Sequence, residues 1–442
     1  MKKTSRLLSF ASIVLVSALV FTGCSQSSKQ VSDSSTAAPT ATPATTAAPE
    51  KTVQSGSAKP ITLTFRNWAA SPEEKKLWAS RAAAVSEKYP EITLNIESTS
   101  FNDYWTKLST EIATQSTPDI LTIQNARVQT FGMAFEPMDS YLKADPGVDI
   151  EDFSKGALGM LQYKGSQIGL PYDQGGFFIY YNKDLFEKSG VQFPKQGWTW
   201  EDFVKTAKDL TKNGNYGYSL SSFFDHIAPF AFMYGASYLD GNGKYNVNND
   251  GMVAAIQKLS DFVAVDKVSP KLVATSDPLW DQEQWLAGNI GMMMTGPWKI
   301  MDFTKRAKFK FASVPLPEGP QKTVTTVMGT GFGFSKYSKN KDAAYKAVAA
   351  LTSKESISAI AEAGRALPAR MSVIDSYYKL APRDFEPTIK RSLETAVTYQ
   401  ITPTWQQAGT ILMEQLIPIF NGETKVKEGL DHLQAQLELI EN

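Results

Sequence analysis

Cysteine and histidine are scarce in this chain, which has one cysteine and two histidines among its 442 residues. The single cysteine, Cys24, has no second thiol with which to form an internal disulfide, and so few sulfur and imidazole ligands argue against a zinc site. An excess of charge of one sign is also lacking, because 45 basic residues balance 45 acidic ones and no dense Lys/Arg block occurs. This balance argues against nucleic acid as a partner. No cofactor is expected.

A membrane-spanning run is also missing, since the apolar stretch Leu7–Phe21 is shorter than the roughly 20 residues that a transmembrane helix needs. Basic residues precede this stretch, which is typical of a secretory signal, and we expect residues 1–23 to be a signal peptide. The string "FTGC" that ends at Cys24 resembles a bacterial lipobox. In such a motif the cysteine sulfur receives a diacylglyceryl group, and two acyl chains anchor a protein stably. A buried core cysteine is the alternative, but the residue lies outside any plausible domain.

The stretch after the cysteine is rich in Ser, Thr, Ala and Pro and almost free of large apolar side chains. Such a composition cannot bury enough surface to offset chain entropy, so residues 24–59 are predicted to be a lipidated cysteine and a flexible tether. We therefore expect a soluble body held on the extracellular face of the membrane. The long tether favours a Gram-positive cell.

The remaining body begins near Pro60 and is roughly 380 residues long, which predicts two domains. Its first part alternates strand and helix patterns: "ITLTF", a helix after Ser71, "EITLNIEST", a second helix and "PDILTIQ". Ser71 is a candidate N-cap with Glu74 as its capping partner. This order indicates an α/β fold with a parallel sheet and crossover helices.

Ligands of open α/β sheets bind beyond the carboxyl ends of the strands. The residues at those positions are Arg66–Trp68, Ser98-Thr99 and Gln124-Asn125. Trp68 can serve there either as a lid over the core or as a flat wall for a ligand.

Several strings, in order along the body, carry a family resemblance. They are "TPDILTI", "EPMDSYL", "GLPYDQGGFFIYYNKDLFEKSGV", "WLAGNIGMMMTGPW", "VPLPEGP", "GTGFGFS" and "RALPAR". Their order and spacing resemble those of family 1 extracellular solute-binding proteins, the sugar-capturing components of ABC importers, a family that includes maltose-binding protein. Gln124, Asn125 and Arg127 depart from the pattern of that relative after "PDILTI", so its specificity for maltose is not carried over.

The resemblance implies a type II periplasmic-binding-protein-like fold, in which two α/β lobes are joined by hinge crossovers and enclose a ligand cleft. The first lobe would comprise residues 60–172 plus 314–366, and the second 173–313 plus 367–442. The crossovers would lie at "LPYD", near "SVPLP" and near "RALPAR", all of which contain proline.

Aromatic residues are the first candidates for the cleft, because a sugar has an apolar face that packs on flat rings. The resemblance implies that Trp298, after a Gly-Pro turn, stacks on a sugar ring, and that Trp405 supplies a late aromatic from the second lobe. The alternatives are a core tryptophan and a tryptophan packed at the start of a helix. Trp68 is the aromatic candidate from the first lobe.

Polar candidates would surround the sugar hydroxyls. Tyr172 and Asp173 lie at the first crossover, where Asp173 either accepts sugar hydroxyls or caps a local turn. Asp225 and His226 are either ligand contacts or a helix cap with its neighbour.

Three further residues complete the predicted site. Asn125 lies at a strand end, Arg365 either reaches the cleft or forms a salt bridge in the crossover, and Gly331 would let the backbone approach the ligand closely.

The sequence therefore predicts a monomeric binding protein that captures a carbohydrate, expected to be a short oligosaccharide, and delivers it to the permease subunits of an ABC transporter. One alternative is the same fold with a non-sugar ligand such as a peptide, polyamine or metal ion. Another is a secreted carbohydrate-active enzyme, which would need two carboxylates at a scissile bond. No hydrolase signature is found, so no catalytic residue and no metal site are predicted.

Overall fold

A computed structural model of the protein describes residues 59–69, 71–273 and 280–441. The strands are β1 Ile61–Trp68, β2 Ile92–Thr99, β3 Ile120–Gln124, β4 Gln162–Tyr163, β5 Ser166–Gln167, β6 Leu170–Pro171, β7 Gly175–Gly176, β8 Phe178–Asn182, β9 Tyr216–Ser219, β10 Ile290–Thr295, β11 Phe311–Val314, β12 Thr325–Met328, β13 Thr330–Phe334 and β14 Ala396–Thr398.

The α-helices are α1 Pro72–Lys88, α2 Phe101–Ala113, α3 Val128–Phe131, α4 Asp139–Ala144, α5 Lys155–Gly159, α6 Lys183–Ser189, α7 Trp200–Leu210, α8 Phe224–Met233, α9 Asp250–Ser260, α10 Trp280–Leu286, α11 Ile300–Arg306, α12 Lys341–Leu351, α13 Lys354–Glu362, α14 Asp375–Tyr378, α15 Glu386–Glu394, α16 Trp405–Phe420 and α17 Val426–Glu441. Within the described part of the chain, no helix is both long and apolar enough to cross a membrane.

The first sheet has the strand order β2-β1-β3-β13-β6. Strand β1 pairs in parallel with both β2 and β3, which confirms the strand–helix–strand prediction for this part of the chain. Strand β13 returns from far along the sequence and pairs antiparallel with β3 and β6. The first lobe is therefore built from two distant stretches of sequence.

Helix α1 begins as its sequence predicts. The Ser71 side chain accepts a hydrogen bond from the backbone N–H of Glu74, and Pro72 occupies the first turn. Because the first N–H groups of a helix have no partner within it, this cap sets where the helix starts. The start matters because it places Glu74 directly after the carboxyl end of β1.

The second sheet has the order β11-β8-β10-β9 and both of its faces are covered. In β8, Ile179 and Tyr181 pack into one apolar core, while Phe178 and Tyr180 pack into another on the opposite face. Successive side chains of a strand point to opposite faces, so a strand covered on both sides reads as a continuous apolar run. The strand predicted at "FFIYY" has this pattern, and the second lobe is built around it.

A third, smaller sheet, β14-β12-β7, lies between the two lobes. Strand β12 pairs antiparallel with β7, at the start of the second lobe, and runs on into β13 of the first sheet. Each lobe has its own apolar core, as two domains of this size require; Phe65 and Phe332 belong to the first, and Phe203 and Leu412 to the second. The predicted two-lobe α/β fold is confirmed.

Candidate ligand cleft between the lobes

Three segments of chain run between the lobes and form the hinge. The first, Tyr172–Gln174, lies against the third, Leu367–Ala369, through the hydrogen bonds Ala369 N–H to Tyr172 O (3.2 Å) and Gln174 N–H to Leu367 O (3.1 Å). The second is β12, which pairs with β7. Since all three connect the same two lobes, small rotations along them are sufficient to open or close a cleft.

On the second lobe, the half-buried side chains of Asp225, His226 and Trp298 form a row that is joined by the buried ring of Phe177. The Asp225 carboxylate lies 3.0 Å from His226 Nδ1, the His226 ring centroid lies 4.7 Å from that of Phe177, and Phe177 meets Trp298 edge to face at 5.5 Å. Three of these residues were predicted from the sequence. The row presents a carboxylate, an imidazole and a half-buried indole side by side, which are the groups that recognise a solute with hydroxyls around a flat face.

Trp298 is held rigidly by the turn that precedes it. The turn residues Pro297–Lys299 form a short 3-10 helix after β10, and the indole folds back over Gly296. A Cβ atom at Gly296 would lie 2.2 Å from the Trp298 ring, so only glycine leaves room for this placement. The "TGPW" string thus fixes the ring beside Phe177.

The charge of Asp225 is maintained by its neighbours. Burial acts to raise the pKa of the Asp225 carboxyl, but attraction to His226 and Arg127, together with hydrogen bonds from His226, outweighs it and holds the pKa below its usual value. Asp225 is therefore an ionised acceptor at neutral pH, although its side chain is only 29% exposed.

Arg127, on the first lobe, faces this row and was not among the predicted site residues. Its guanidinium lies over the Trp105 ring, 5.4 Å from the centroid, and donates to Gln406 Oε1 of the second lobe. Burial lowers the pKa of Arg127 to about 10, against the attraction of Asp225 and Tyr399, so the residue is still charged near neutral pH. Its position directly beyond the carboxyl end of β3 is the signal by which the sequence could have identified it.

Several buried side-chain donors of the first lobe have no hydrogen-bond partner among the described residues. They include Arg127 Nε, Trp105 Nε1 and Asn67 Nδ2. The Arg127 guanidinium lies over the Trp105 ring, so the first two donors are on neighbouring side chains, whereas Asn67 points to the opposite face of β1 from Trp68, which packs on Trp105. Buried polar groups are normally hydrogen-bonded, and hydroxyl oxygens are suitable acceptors for such donors.

A second cluster of charged side chains, formed by Arg365, Glu74 and Lys299, lies beside the third crossing segment. Arg365 donates to Glu74, so it forms a salt bridge with α1 and not one within the crossover, and contact with a ligand stays a prediction. Burial acts to lower the pKa of Arg365, but Tyr172, Glu74 and Asp173 outweigh it and hold the pKa above its usual value. Lys299 of the second lobe also faces this group, and burial lowers its pKa to about 8.

The Asp173 carboxylate already has a hydrogen-bond donor within the protein. Its carboxylate accepts a hydrogen bond from the backbone N–H of Thr330, and its backbone forms a bridge with Pro368. Burial raises the pKa of Asp173 to about 7, although Arg365 and the bonds from Thr330 oppose the rise. The carboxylate therefore bonds to a distant strand and not to a local turn, and contact with a ligand stays a prediction.

Three predicted aromatic contacts are packed among other rings. Trp68 is 9% exposed and lies against Phe101, Tyr104 and Trp105, while Tyr172 is 1% exposed and stacks on Phe332 at 4.9 Å. Trp405 is 5% exposed and its ring is surrounded by aromatic rings of the second lobe. These side chains support the cleft walls, and their contact with a ligand stays a prediction.

The Asn125 side chain and the space beside Gly331 are both in contact with other parts of the protein. Asn125 Nδ2 donates to Val327 O at 3.3 Å and its Oδ1 accepts from Gly329 N–H, so the amide ties β3 to the hinge. A Cβ atom at Gly331 would lie 2.4 Å from Leu170 O, inside the first sheet. The space beside Gly331 is thus filled by the protein, which argues against the predicted close approach of a ligand there.

The lipidation prediction at Cys24, with the signal peptide before it and all but the end of the tether after it, lies outside the described residues.

Two α/β lobes, three crossing segments and a cleft whose facing walls carry rings and charged side chains define the class of two-lobe binding proteins. The chain belongs to the bacterial extracellular solute-binding proteins, the family whose model matches residues 69–357. This confirms the resemblance drawn from the motifs.

Individual relatives agree with this membership. The chain is 25% identical over 272 residues to the arabinooligosaccharide-binding protein of Bacillus subtilis (strain 168). That alignment covers 60% of this chain and 62% of that protein. The chain is 34% identical over 139 residues to the mannitol-binding protein of Pseudomonas aeruginosa, which covers 30% and 31%. Among solved structures, it resembles the ABC substrate-binding protein Lmo0181 from Listeria monocytogenes in complex with cycloalternan, with a TM-score of 0.80, 25% identity and coverage of 86% of this chain and 99% of that one.

Proposed function

We propose that the protein captures a carbohydrate in the cleft between its lobes and delivers it to the permease of an ABC importer. The observation that carries the proposal is the row Asp225–His226–Phe177–Trp298 on one wall with Arg127 on the other. A half-buried indole takes the apolar face of a sugar, while the carboxylate accepts from its hydroxyls and the guanidinium donates to them. The ligands named for the relatives, an arabinooligosaccharide, mannitol and cycloalternan, support this class of solute.

The mechanism follows from the division of the site between the lobes. A ligand that contacts both walls binds the closed form more tightly than the open form, and so shifts the hinge equilibrium toward closure. The permease then recognises the closed form. In this proposal Trp298, Asp225, His226 and Arg127 contact the sugar, whereas Trp68, Asn125, Tyr172, Asp173, Gly331, Arg365 and Trp405 hold these groups in place.

We retain the predicted division into lobes, 60–172 plus 314–366 and 173–313 plus 367–442, with one refinement. The segment after β11 remains in contact with the second lobe, since Pro315 O accepts from Trp198 Nε1 at 2.9 Å and Gln321 N–H donates to Met233 O at 3.1 Å. The second crossing is therefore better placed at β12.

Four finer statements belong to the same proposal. Residues 1–23 are removed as a signal peptide, Cys24 carries the lipid anchor, and the protein acts as a monomer on the outer face of a Gram-positive membrane. The protein does not catalyse a reaction on its ligand, in keeping with a family of solute-binding proteins.

Isothermal titration calorimetry with a panel of sugars and polyols, paired with small-angle X-ray scattering, tests the proposal. We expect saturable binding of a carbohydrate together with a decrease in the radius of gyration. Binding without compaction would contradict the closure mechanism, and binding of peptides or polyamines in place of sugars would contradict the ligand class. Chromatography of labelled oligosaccharides after incubation with the protein checks that they are not cleaved.

A further inference from the structure

We infer that Met371 is a site of reversible oxidation and that its sulfoxide acts on the hinge through Gln174. The inference goes beyond the proposed function, and only its effect on sugar affinity rests on that function. The chain belongs to an extracellular family, and proteins outside the cell meet oxidants without the protection of the thiol systems that keep the cytosol reducing.

Met371 is one of two methionines with exposed side chains among the described residues. It is 46% exposed and Met133 is 47% exposed, whereas the other described methionines are half-buried or buried in the cores. Oxidation depends on access of the oxidant to the sulfur, and a peroxide therefore reaches Met133 and Met371 before the methionines of the cores.

The sulfur of Met371 contacts the hinge. Gln174 Nε2 donates to Met371 Sδ at 3.6 Å and to Pro368 O at 2.9 Å. Gln174 Oε1 accepts from Ser154 Oγ of the first lobe at 2.6 Å, and Gln174 is only 4% exposed. This one buried amide therefore links the first crossing segment to the third and to the first lobe. A change of the acceptor at Met371 changes the hydrogen bonding between two crossing segments.

Both neighbours of Met371 are fixed to the first lobe. The Arg370 guanidinium donates to Val148 O at 2.6 Å. Ser372 N–H donates to Asp152 Oδ1 at 2.9 Å. Because the backbone is held on each side, the Met371 sulfur stays beside the hinge amide, and an oxygen added to this sulfur is placed within reach of that amide.

The reaction is a two-electron oxidation of the thioether. The sulfur attacks one oxygen of hydrogen peroxide, so an S–O bond forms, the O–O bond breaks and the other oxygen leaves as water with both protons. A thioether sulfur is a weak acceptor, whereas a sulfoxide is polar and accepts strongly through its oxygen. The oxidised Met371 side chain therefore bonds more tightly to Gln174 Nε2.

The stronger bond favours the conformation in which the two crossing segments are held together. The lobes touch in that conformation, since Arg127 of the first lobe donates to Gln406 of the second. A ligand that contacts both lobes binds more tightly when the closed arrangement is favoured in advance. Oxidation of Met371 therefore raises sugar affinity.

Peptide mass spectrometry after titration with hydrogen peroxide tests the site. The parent protein carries Cys24→Ser, so that the only thiol of the chain cannot react. We expect Met371 and Met133 to gain one oxygen before any methionine of the cores. Methionine sulfoxide reductases, one for each epimer, should remove it. A Met371 that stays unmodified while core methionines are oxidised would overturn the inference.

Two leucine variants connect the oxidation to the hinge. Met371→Leu removes the sulfur beside Gln174, and Met133→Leu removes the equally exposed sulfur elsewhere in the first lobe. We expect calorimetry to show that oxidation raises the sugar affinity of the parent and of Met133→Leu by about threefold or more, reversibly, and leaves Met371→Leu unchanged. Equal affinities before and after full oxidation of Met371, or a response that persists in Met371→Leu, would show that this sulfur does not act on the hinge.

Failure of every carbohydrate to bind would contradict the proposed function and leave the inference to a measurement without ligand. Small-angle X-ray scattering of the ligand-free protein then decides it. Oxidation should lower the radius of gyration of the parent and leave that of Met371→Leu unchanged, and the same value for the parent before and after oxidation would refute the effect on the hinge.

Discussion

Two tryptophans of the second lobe have opposite surroundings, although the sequence proposed the same role for both. Trp298 is half-buried and touches Phe177 along one edge, whereas Trp405 is 5% exposed and enclosed by Phe224, Tyr238 and Tyr399. Both follow a Thr or Pro turn, and the local sequence does not distinguish them. Whether each tryptophan is enclosed depends on how many aromatic rings from distant parts of the chain pack against it.

Replacing Trp298 is expected to affect binding and replacing Trp405 stability. Trp298→Ala removes an apolar surface of the site and should weaken sugar affinity by about 10- to 100-fold, with Trp298→Phe retaining part of it. Trp405→Ala should instead lower the free energy of unfolding by about 3–5 kcal/mol through the cavity it leaves. Calorimetry and urea denaturation of both variants measure the two effects. The interpretation is wrong if the Trp298 variant unfolds more easily and binds as before.

Asp173 predicts a pH dependence of stability. Its folded pKa of about 7 lies above the value near 3.9 of an unfolded chain, so the folded state holds the proton more tightly. The resulting stabilisation is present below about pH 4 and is lost as the pH rises toward 7. Asp173→Asn keeps the acceptor for Thr330 N–H but cannot ionise. Its stability relative to the wild type should therefore rise by about 2–4 kcal/mol between pH 4 and 7 and stay level above 8.

Urea denaturation of both proteins across this pH range measures the difference, in which groups that titrate in both proteins cancel. If the free energy of unfolding of the wild type instead increases relative to that of the variant as the pH rises, then Arg365 stabilises the ionised carboxylate more than burial destabilises it.

At the scale of elements, the first three strands and their helices could be predicted because their information is local. The alternation in "ITLTF" and "EITLNIEST" gives the strands, and Ser71 with Pro72 gives the start of α1. The placement of Trp298 also follows from a local string, since Gly296 must leave room for the ring. Motif order supplied the rest of the fold, including the return of β13 to the first sheet.

The long-range contacts of the charged side chains could not be predicted in the same way. Arg127 meets Gln406, and Arg365 meets Glu74, across separations in sequence of 279 and 291 residues. No periodicity or capping signal predicts such contacts. The first depends on how the two lobes are set against each other, and the second on how distant parts of the first lobe pack together. The position of Arg127 at a strand end could have indicated the cleft, but not its partner.

A substitution at Gly331 in β13 tests whether this glycine is required for packing of the first sheet or for contact with a ligand. Gly331→Ala would place a Cβ atom 2.4 Å from both Leu170 O and Leu161 Cδ1, and should destabilise the protein by about 1–3 kcal/mol or more. Gly409→Ala in α16 is the matched control, because a Cβ atom there meets nothing within 4 Å. Alanine favours a helix over glycine by about 1 kcal/mol, so this variant should be neutral or stabilised. Thermal unfolding compares them. An unchanged stability of Gly331→Ala combined with lost sugar binding would restore the original prediction of a ligand contact.

At the scale of the whole molecule, the proposed tether and the hinge would serve the same requirement. A protein that closes on its ligand must rotate one lobe against the other, and a rigid attachment to the membrane would restrict that rotation. Residues 24–59 are rich in Ser, Thr, Ala and Pro, the composition on which the proposal of a tether rests. The lipid at Cys24 would then confine the protein near its permease without limiting the orientations that either lobe can take.

The anchor therefore predicts a change of location without a change of binding. In Cys24→Ser the acceptor of the diacylglyceryl group is lost, and a protein without two acyl chains is not held stably on a membrane. We expect this variant in the culture medium, unlabelled by radioactive palmitate, whereas the wild type is labelled and sediments with membranes. Sugar affinity measured by calorimetry should be equal for the two, because Cys24 lies at least 35 residues of tether away from Pro60 and the lobes that follow it. Retention of Cys24→Ser on the membrane would assign anchoring to the apolar stretch Leu7–Phe21, and equal labelling of both proteins would place the acyl groups on another residue.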